Sequence, residues 1–162
     1  MEYSSIIWDP FTEANIWKLE MVQRRAARMV FSDYRRTSSV TPMLHHLQWP
    51  TLQERRAHAK VTMMYRIVNG LVEVPTTSLT TTISARGHGL HYLVPFARTQ
   101  CYQRSFFPDT IRLWNSLPQS VVSCTTIDSF KRVRPVSGRS WVRSPTASYQ
   151  RRYKNGTRCF LA

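Results

Sequence analysis

The chain has 162 residues and a formal net charge of +14, from 23 Lys and Arg against 9 Asp and Glu. That length suits one domain with a sizeable core, while so much positive charge repels itself in a compact body unless a polyanion offsets it, which makes nucleic acid the first partner class. There is no run of ~18 apolar residues to span a membrane, the segment Met1 to Pro10 lacks a signal peptide's basic and apolar regions, and the three cysteines, Cys101, Cys124 and Cys159, are too widely spaced for a disulfide framework or a zinc ligand set.

In chain order, the first helix is expected to start at Asp9 or Pro10, because proline is favoured in a first turn, and to run to about residue 31. It sets Ile16, Leu19, Val22, Ala26, Met29 and Val30 broadly on one face, with Lys18, Arg24, Arg25 and Arg28 largely on the other. A short second helix, near 42–48, opens at Thr41-Pro42 and stops before Trp49-Pro50. The third, over 51–69, has the clearest local signals: Thr51-Leu52-Gln53-Glu54 reads as a capping box and Asn69-Gly70 as a C-terminal stop. Ala57, Val61, Met64, Tyr65 and Val68 recur at helical spacing, and Arg55, Arg56, Lys60 and Arg66 fall largely elsewhere on the wheel.

These helices make residues 1–74 one helical segment. Residues 75–89 read as a linker or loop, since the threonine-rich stretch from Pro75 to Ser84 shows no alternation. In 90–133, Leu90 to Val94 is the one strand candidate, a fourth helix from Pro108 buries Ile111, Trp114 and Leu117 before Pro118, and Ile127 to Val133 forms a fifth behind Thr126. Residues 134–162 carry seven basic residues and no acid, half of the net charge, in a Ser, Thr, Pro and Gly background too poor in apolar residues to offset chain entropy. The expected fold is mostly α: a small helical domain of about four to five helices with at most a short hairpin, plus a disordered basic C-terminal tail.

Catalytic chemistry has little to stand on. Two-metal phosphoryl chemistry needs clustered carboxylates, yet after Glu73 the only acids are Asp109 and Asp128. His45-His46, and His88 with His91, lack the further ligands a tetrahedral metal site wants, so solvated loop histidines are expected. Arg86-Gly87-His88-Gly89 reads as a turn rather than a phosphate loop, and Cys101 and Cys124 as structural thiols without a neighbouring base. Neither enzymatic activity, nor a metal, cofactor or small-molecule substrate is expected. Basic helix faces interleaved with Tyr34, Trp49, Tyr65, Tyr92, Tyr102, Phe106, Phe107 and Trp114 remain, and such mixtures grip phosphates and stack bases. The competing reading puts Tyr65, Phe106 and Trp114 in the core and leaves the arginines as a solvated face.

Several of these segments form an ordered pattern. Leu19-Glu20-x-Val22-Gln23-Arg24-Arg25-Ala26-Ala27-Arg28, then Asp33-Tyr34-Arg35-Arg36, resembles the region that follows the polymerase core in non-LTR retrotransposon (LINE or jockey-like) reverse transcriptases. Tyr3-Ser4-Ser5-x-x-Trp8-Asp9-Pro10, Leu47-x-Trp49-Pro50-x-Leu52-x-x-Arg55-Arg56, Tyr65-x-Ile67-x-Asn69-Gly70, Arg98-x-x-x-Tyr102-x-x-Ser105-Phe106-Phe107-Pro108-x-Thr110-Ile111, Trp114-Asn115-x-Leu117-Pro118 and Phe130-Lys131 resemble the same region, in the family's order. The resemblance covers residues 1 to about 133 and implies a thumb-adjacent part of an RNA-directed DNA polymerase. The family's aromatic-x-Asp-Asp motif and its endonuclease have no counterpart in the chain, and residues 134–162 leave the pattern.

The expectation is therefore a truncated fragment that binds RNA or a template-primer duplex without sequence preference, inside the cell, in nucleus or cytoplasm. Arg24, Arg25, Arg28, Arg35, Arg36, Arg55, Arg56 and Lys60 are its expected phosphate contacts. Two other readings compete: a relic open reading frame without a selected function, and a helical module that docks on a protein through the apolar face of the first helix.

Overall fold

In the computed structural model, residues 3–75, 79–82 and 88–132 are described. The protein is mostly helical with one short hairpin, and its central element is α4 (Leu52–Val68). Both ends of α4 follow from the local signals. Thr51 Oγ1 accepts the Glu54 N–H at 3.2 Å and the Glu54 carboxylate accepts the Thr51 N–H at 3.3 Å, a complete capping box. At the other end Gly70 takes φ +67°, and the N–H groups of Gly70 and Leu71 bond the Ile67 and Arg66 carbonyls at 3.1 and 2.8 Å. That is the Schellman geometry, in which a left-handed glycine satisfies carbonyls the helix leaves open.

The inner face of α4 presents Val61, Met64 and Tyr65 to α6 (Phe106–Asn115), α7 (Gln119–Val122) and α8 (Ile127–Arg132). Ile111, Trp114, Leu117, Val121, Val122 and Phe130 complete the core. Tyr65 stacks on Phe130 with ring centroids 4.5 Å apart and donates its hydroxyl to the Cys124 carbonyl at 2.8 Å, so its polar end is satisfied where its ring is buried. Helix α6 begins at Phe106, two residues before the expected start, and accommodates Pro108 inside its first turn, where no N–H is needed.

A hairpin flanks this core. β1 (Thr81–Thr82) pairs antiparallel with β2 (His91–Tyr92), Thr81 opposite Tyr92. The expected linker at 75–89 therefore contributes a strand; its residues 76–78 and 83–87 lie outside the described residues, as does the tail at 134–162. The strand expected over 90–94 shortens to two residues because α6 takes over the pairing. Asn115 Oδ1 accepts the Tyr92 N–H at 3.1 Å, Asn115 Nδ2 donates to the Tyr92 carbonyl at 2.8 Å, and Trp114 Nε1 donates to the Leu90 carbonyl at 3.0 Å. A side-chain amide thus replaces a neighbouring strand. Between hairpin and α6 lies α5 (Gln100–Gln103), a turn the periodicity does not reveal, with Thr99 Oγ1 accepting the Tyr102 N–H at 3.3 Å.

The N-terminal elements are α1 (Ser5–Trp8), α2 (Glu13–Val30) and α3 (Val40–His46). Helix α2 starts at Glu13 and not at Asp9 or Pro10, because residues 5–8 form their own turn and the Asp9 carboxylate is directed to α4. Its expected apolar face is covered only in part: Ile16, Leu19 and Ala26 are half-buried, but Met29 is 70 % exposed and Val30 58 %, while Gln23 and Ala27 are buried. The reason is polar. Gln23 Nε2 donates to the Pro50 carbonyl at 2.9 Å and Glu20 Oε1 accepts the Gln53 N–H at 3.0 Å, so α2 is rotated to reach the start of α4 with hydrogen-bonding side chains. No helix among the described residues is long and apolar enough to cross a membrane.

Candidate nucleic-acid interface

The eight expected phosphate contacts fall into three groups. Arg25, Arg35, Arg36 and Arg55 are exposed. Arg24 is half-buried, with its guanidinium carbon 5.5 Å from the centroid of the Trp17 ring. Arg56 and Lys60 are buried, and half-buried Arg28 bonds to backbone carbonyls.

Arg28 organises the turn that follows α2. That helix ends in a second Schellman arrangement, with Ser32 at φ +50° and the Asp33 N–H bonded to the Arg28 carbonyl at 3.1 Å. The Arg28 guanidinium then donates to the Arg35 carbonyl at 2.7 Å and to the Ser38 carbonyl at 3.0 Å, spanning the turn like a clasp. The Asp33 carboxylate accepts the Arg35 N–H at 3.1 Å. The hydrogen bonds of Ser38 and the Arg35 N–H hold that carboxyl below the usual carboxylate range. Two of the five N–H donors of the guanidinium go to backbone carbonyls, so Arg28 positions the loop. What it positions is the stretch of Tyr34, 69 % exposed, and the water-facing Arg35 and Arg36 that follow it, with exposed Arg25 a turn before Arg28 on α2.

Arg56 and Lys60 correct the sequence reading. Each is 2 % exposed, on the buried face of α4 that also carries Leu52. Lys60 Nζ lies 2.6 Å from Asp9 Oδ2 and 2.8 Å from Asp109 Oδ2, so one ammonium joins the N-terminal segment to α6. Arg56 pairs with Asp9 Oδ1 at 3.4 Å, under the Trp8 ring, and its Nε and Nη2 are buried without a hydrogen-bond partner. Spacing alone put both residues with Arg55. What turns them inward is a pair of carboxylates 47 and 49 residues away in sequence. Glu20 stands close by: burial raises its pKa, against the lowering pull of the Gln53 N–H and of Arg56.

The histidines are corrected too. His45 and His46 are exposed as expected, but His88 is 1 % exposed. Its Nδ1 accepts the Leu90 N–H at 3.2 Å and its Nε2 lies 2.9 Å from the Trp114 carbonyl, to which it can donate. His91 lies against it, ring centroids 4.4 Å apart, and is held below its ordinary pKa first by burial and then by His88. Both nitrogens of His88 serve the packing of the hairpin, and no group of three His, Cys, Asp or Glu able to hold a metal occurs among the described residues. Cys101 is exposed and Cys124 half-buried.

Of the expected stacking aromatics, Tyr65, Tyr92 and Trp114 are core, and Phe106 and Phe107 form a half-buried edge-to-face pair at 5.2 Å. Tyr34, Trp49 and Tyr102 remain at the surface. Sequence reasoning missed Phe96, 89 % exposed; the available signal was the stretch 74–108, which holds no Asp or Glu. Chemically, the surface offers fixed cations and a few aromatic faces, which can hold phosphate and stack a base. Neither a family model, nor a curated protein, nor a solved structure matches this chain.

Proposed function

We propose that the chain is a sequence-independent nucleic-acid-binding segment, corresponding to the part of a non-LTR retrotransposon reverse transcriptase that follows the polymerase core. Arg25, Arg35 and Arg36 meet the phosphates of RNA or of a template-primer duplex, with Arg24 and Arg55 at the margin. In such a polymerase the catalytic carboxylates belong to the core, and this segment supplies grip.

The observation that carries the reading is the Arg28 clasp. Its two bonds to the Arg35 and Ser38 carbonyls hold the turn in place, so Arg35 and Arg36 are presented before any ligand arrives and less ordering entropy is lost on binding. Contacts of this kind position a nucleic acid without reading its sequence.

The test is a salt titration of RNA binding by the full chain, read by fluorescence anisotropy. Replacing Arg25, Arg35 and Arg36 together by Ala is expected to lower the slope of log affinity against log salt by about 2 to 3, close to one unit for each phosphate that is no longer neutralised. An unchanged slope overturns the assignment. A cooperative thermal transition of the same sample separates a folded binder from a relic chain. A second reading, a helical protein-interaction module, is favoured by exposed Met29 and Val30 on α2; it requires that Met29→Lys abolish capture of a protein partner while leaving the salt slope intact.

A further inference from the structure

We infer that residues 93–104 form a second, separate contact surface, which takes unpaired nucleotides: bases stack on Phe96 and Tyr102 while Arg98 and Arg104 meet the phosphates. In its choice of partner the inference rests on the nucleic-acid reading above, and it adds a preference for single strands that the arginines of the Tyr34 turn do not provide.

Phe96 is 89 % exposed and Tyr102 48 %, beside exposed Arg98 and Arg104. Isolated exposed aromatics are ordinary on protein surfaces. These differ in their setting, because the segment is pinned at both ends. Upstream, the Leu93 N–H bonds the Thr80 carbonyl at 2.8 Å, and Asn115 holds both backbone groups of Tyr92. Downstream, Thr99 caps α5, and Ser105 N–H and Oγ both bond the Tyr102 carbonyl, at 3.0 and 2.7 Å, where the chain turns into α6. Phe96 and Tyr102 are six positions apart, so they lie within ~20 Å of each other even for an extended chain. Both rings face water on a segment whose two ends are hydrogen-bonded.

Charge selects the partner. No Asp or Glu occurs from residue 74 to residue 108. The nearest acid in sequence, Asp109, lies 2.8 Å from Lys60 Nζ and 3.8 Å from Arg104 Nη1, so its single charge is shared by two cations and offsets that of Arg104 only in part. Aromatic faces interspersed with exposed arginines are what single-strand binders use, because every unpaired base offers a π-face and its phosphate an anion. A duplex hides those faces within its own stack. An anionic membrane would want a long amphipathic helix, and α5 has four residues.

The experiment compares the full chain with the double variant Phe96→Ala, Tyr102→Ala, using an unstructured oligouridine containing a 2-aminopurine and a blunt duplex of the same length. Parent chain is expected to change the 2-aminopurine emission on binding. The double variant should bind the single strand at least about tenfold more weakly, keep its duplex affinity within about twofold, and melt at the parent temperature, since both rings are exposed. Equal single-strand affinity of parent and variant overturns the inference, as does unchanged emission on binding, or binding of phosphatidylserine vesicles in preference to the oligonucleotide. Salt-dependent duplex binding without any single-strand effect removes this surface alone and leaves the Arg25, Arg35 and Arg36 assignment standing. Absence of binding to either nucleic acid removes both.

Discussion

From α4 to α8 the chain buries a continuous apolar set, Val61, Met64, Tyr65, Ile111, Trp114, Leu117, Val121, Val122 and Phe130. From α1 to α3 its buried residues are Ser5, Gln23, Ala27 and Val40, and Met29, Val30 and Phe31 face water. The second region is held instead by polar ties: Gln23 to Pro50, Glu20 to Gln53, Arg28 to Arg35 and Ser38, Asp9 to Arg56 and Lys60. Each neutral tie contributes only about 1 kcal/mol net, because water offered the same bonds in the unfolded chain, whereas burying one large apolar side chain contributes about 1.5–3 kcal/mol. Hydrogen bonds fix direction better than they supply energy. The N-terminal region is therefore well oriented but thinly stabilised, and it carries the arginine turn, in keeping with the rule that binding elements come from the less stable parts of a fold.

The largest expected effect breaks the apolar region outright. Trp114→Ala removes a ring that is 1 % exposed, together with the bond from its Nε1 to the Leu90 carbonyl. A loss of about 3–5 kcal/mol is expected, a large part of the ~5–15 kcal/mol typical of a domain. The cooperative transition in circular dichroism should disappear at physiological temperature. A melting temperature close to the parent's would mean that the core is not where the stability lies.

The second effect tests how the regions are joined. Lys60→Ala leaves Asp9 and Asp109 facing a cavity without the ammonium they share, and breaking a buried pair costs about 3–5 kcal/mol. Partial exposure of both carboxylates places the value near the lower end of that range. Lys60→Met, which keeps the volume, should recover part of the loss only if Asp9 swings out to water. Because Lys60 bridges the two regions, urea unfolding of Lys60→Ala is expected to split into two transitions, α1 to α3 opening first. A single coincident transition would show that the polar region needs no bridge.

Legibility in the sequence follows the same division. The limits of α4 could be read because capping box and Schellman glycine are local, and its core stripe because apolar spacing decides there. The orientation of α2 could be read only in part, since Gln23 and Glu20 face inward for partners at Pro50 and Gln53 that no local pattern announces. Arg56 and Lys60 were misplaced for the same reason: a charge faces inward when a distant carboxylate waits for it. Of the candidate site, the exposed arginines and Tyr34 were visible; the clasp that presents them was not, because it depends on Arg28 reaching backbone carbonyls across a turn. Trp114-Asn115, read as part of a family pattern, proves to be a joint between α6 and the hairpin.

The smallest effect is a pH dependence of opposite sign in the two regions. His91 of β2 titrates below its ordinary 6.5 in the folded chain, through burial and the adjacent His88. As pH falls through 6.5 the unfolded chain takes the proton first, so the stability His91 allows at neutral pH is lost progressively until its lower folded pKa is passed. Glu20 of α2 behaves in reverse. Burial raises its folded pKa above 4.5, so the folded chain takes the proton first, and stability rises as pH falls through that raised value towards 4.5. Urea midpoints measured between about pH 7.5 and about pH 4.5 should therefore decline on the neutral side and recover part of the loss on the acid side. His91→Gln should flatten the first slope and Glu20→Gln the second, each leaving the other in place. If either substitution removed both slopes, the two groups would be titrating as one unit, and the separation of the molecule into an apolar and a polar region would fail at the point where it is most finely drawn.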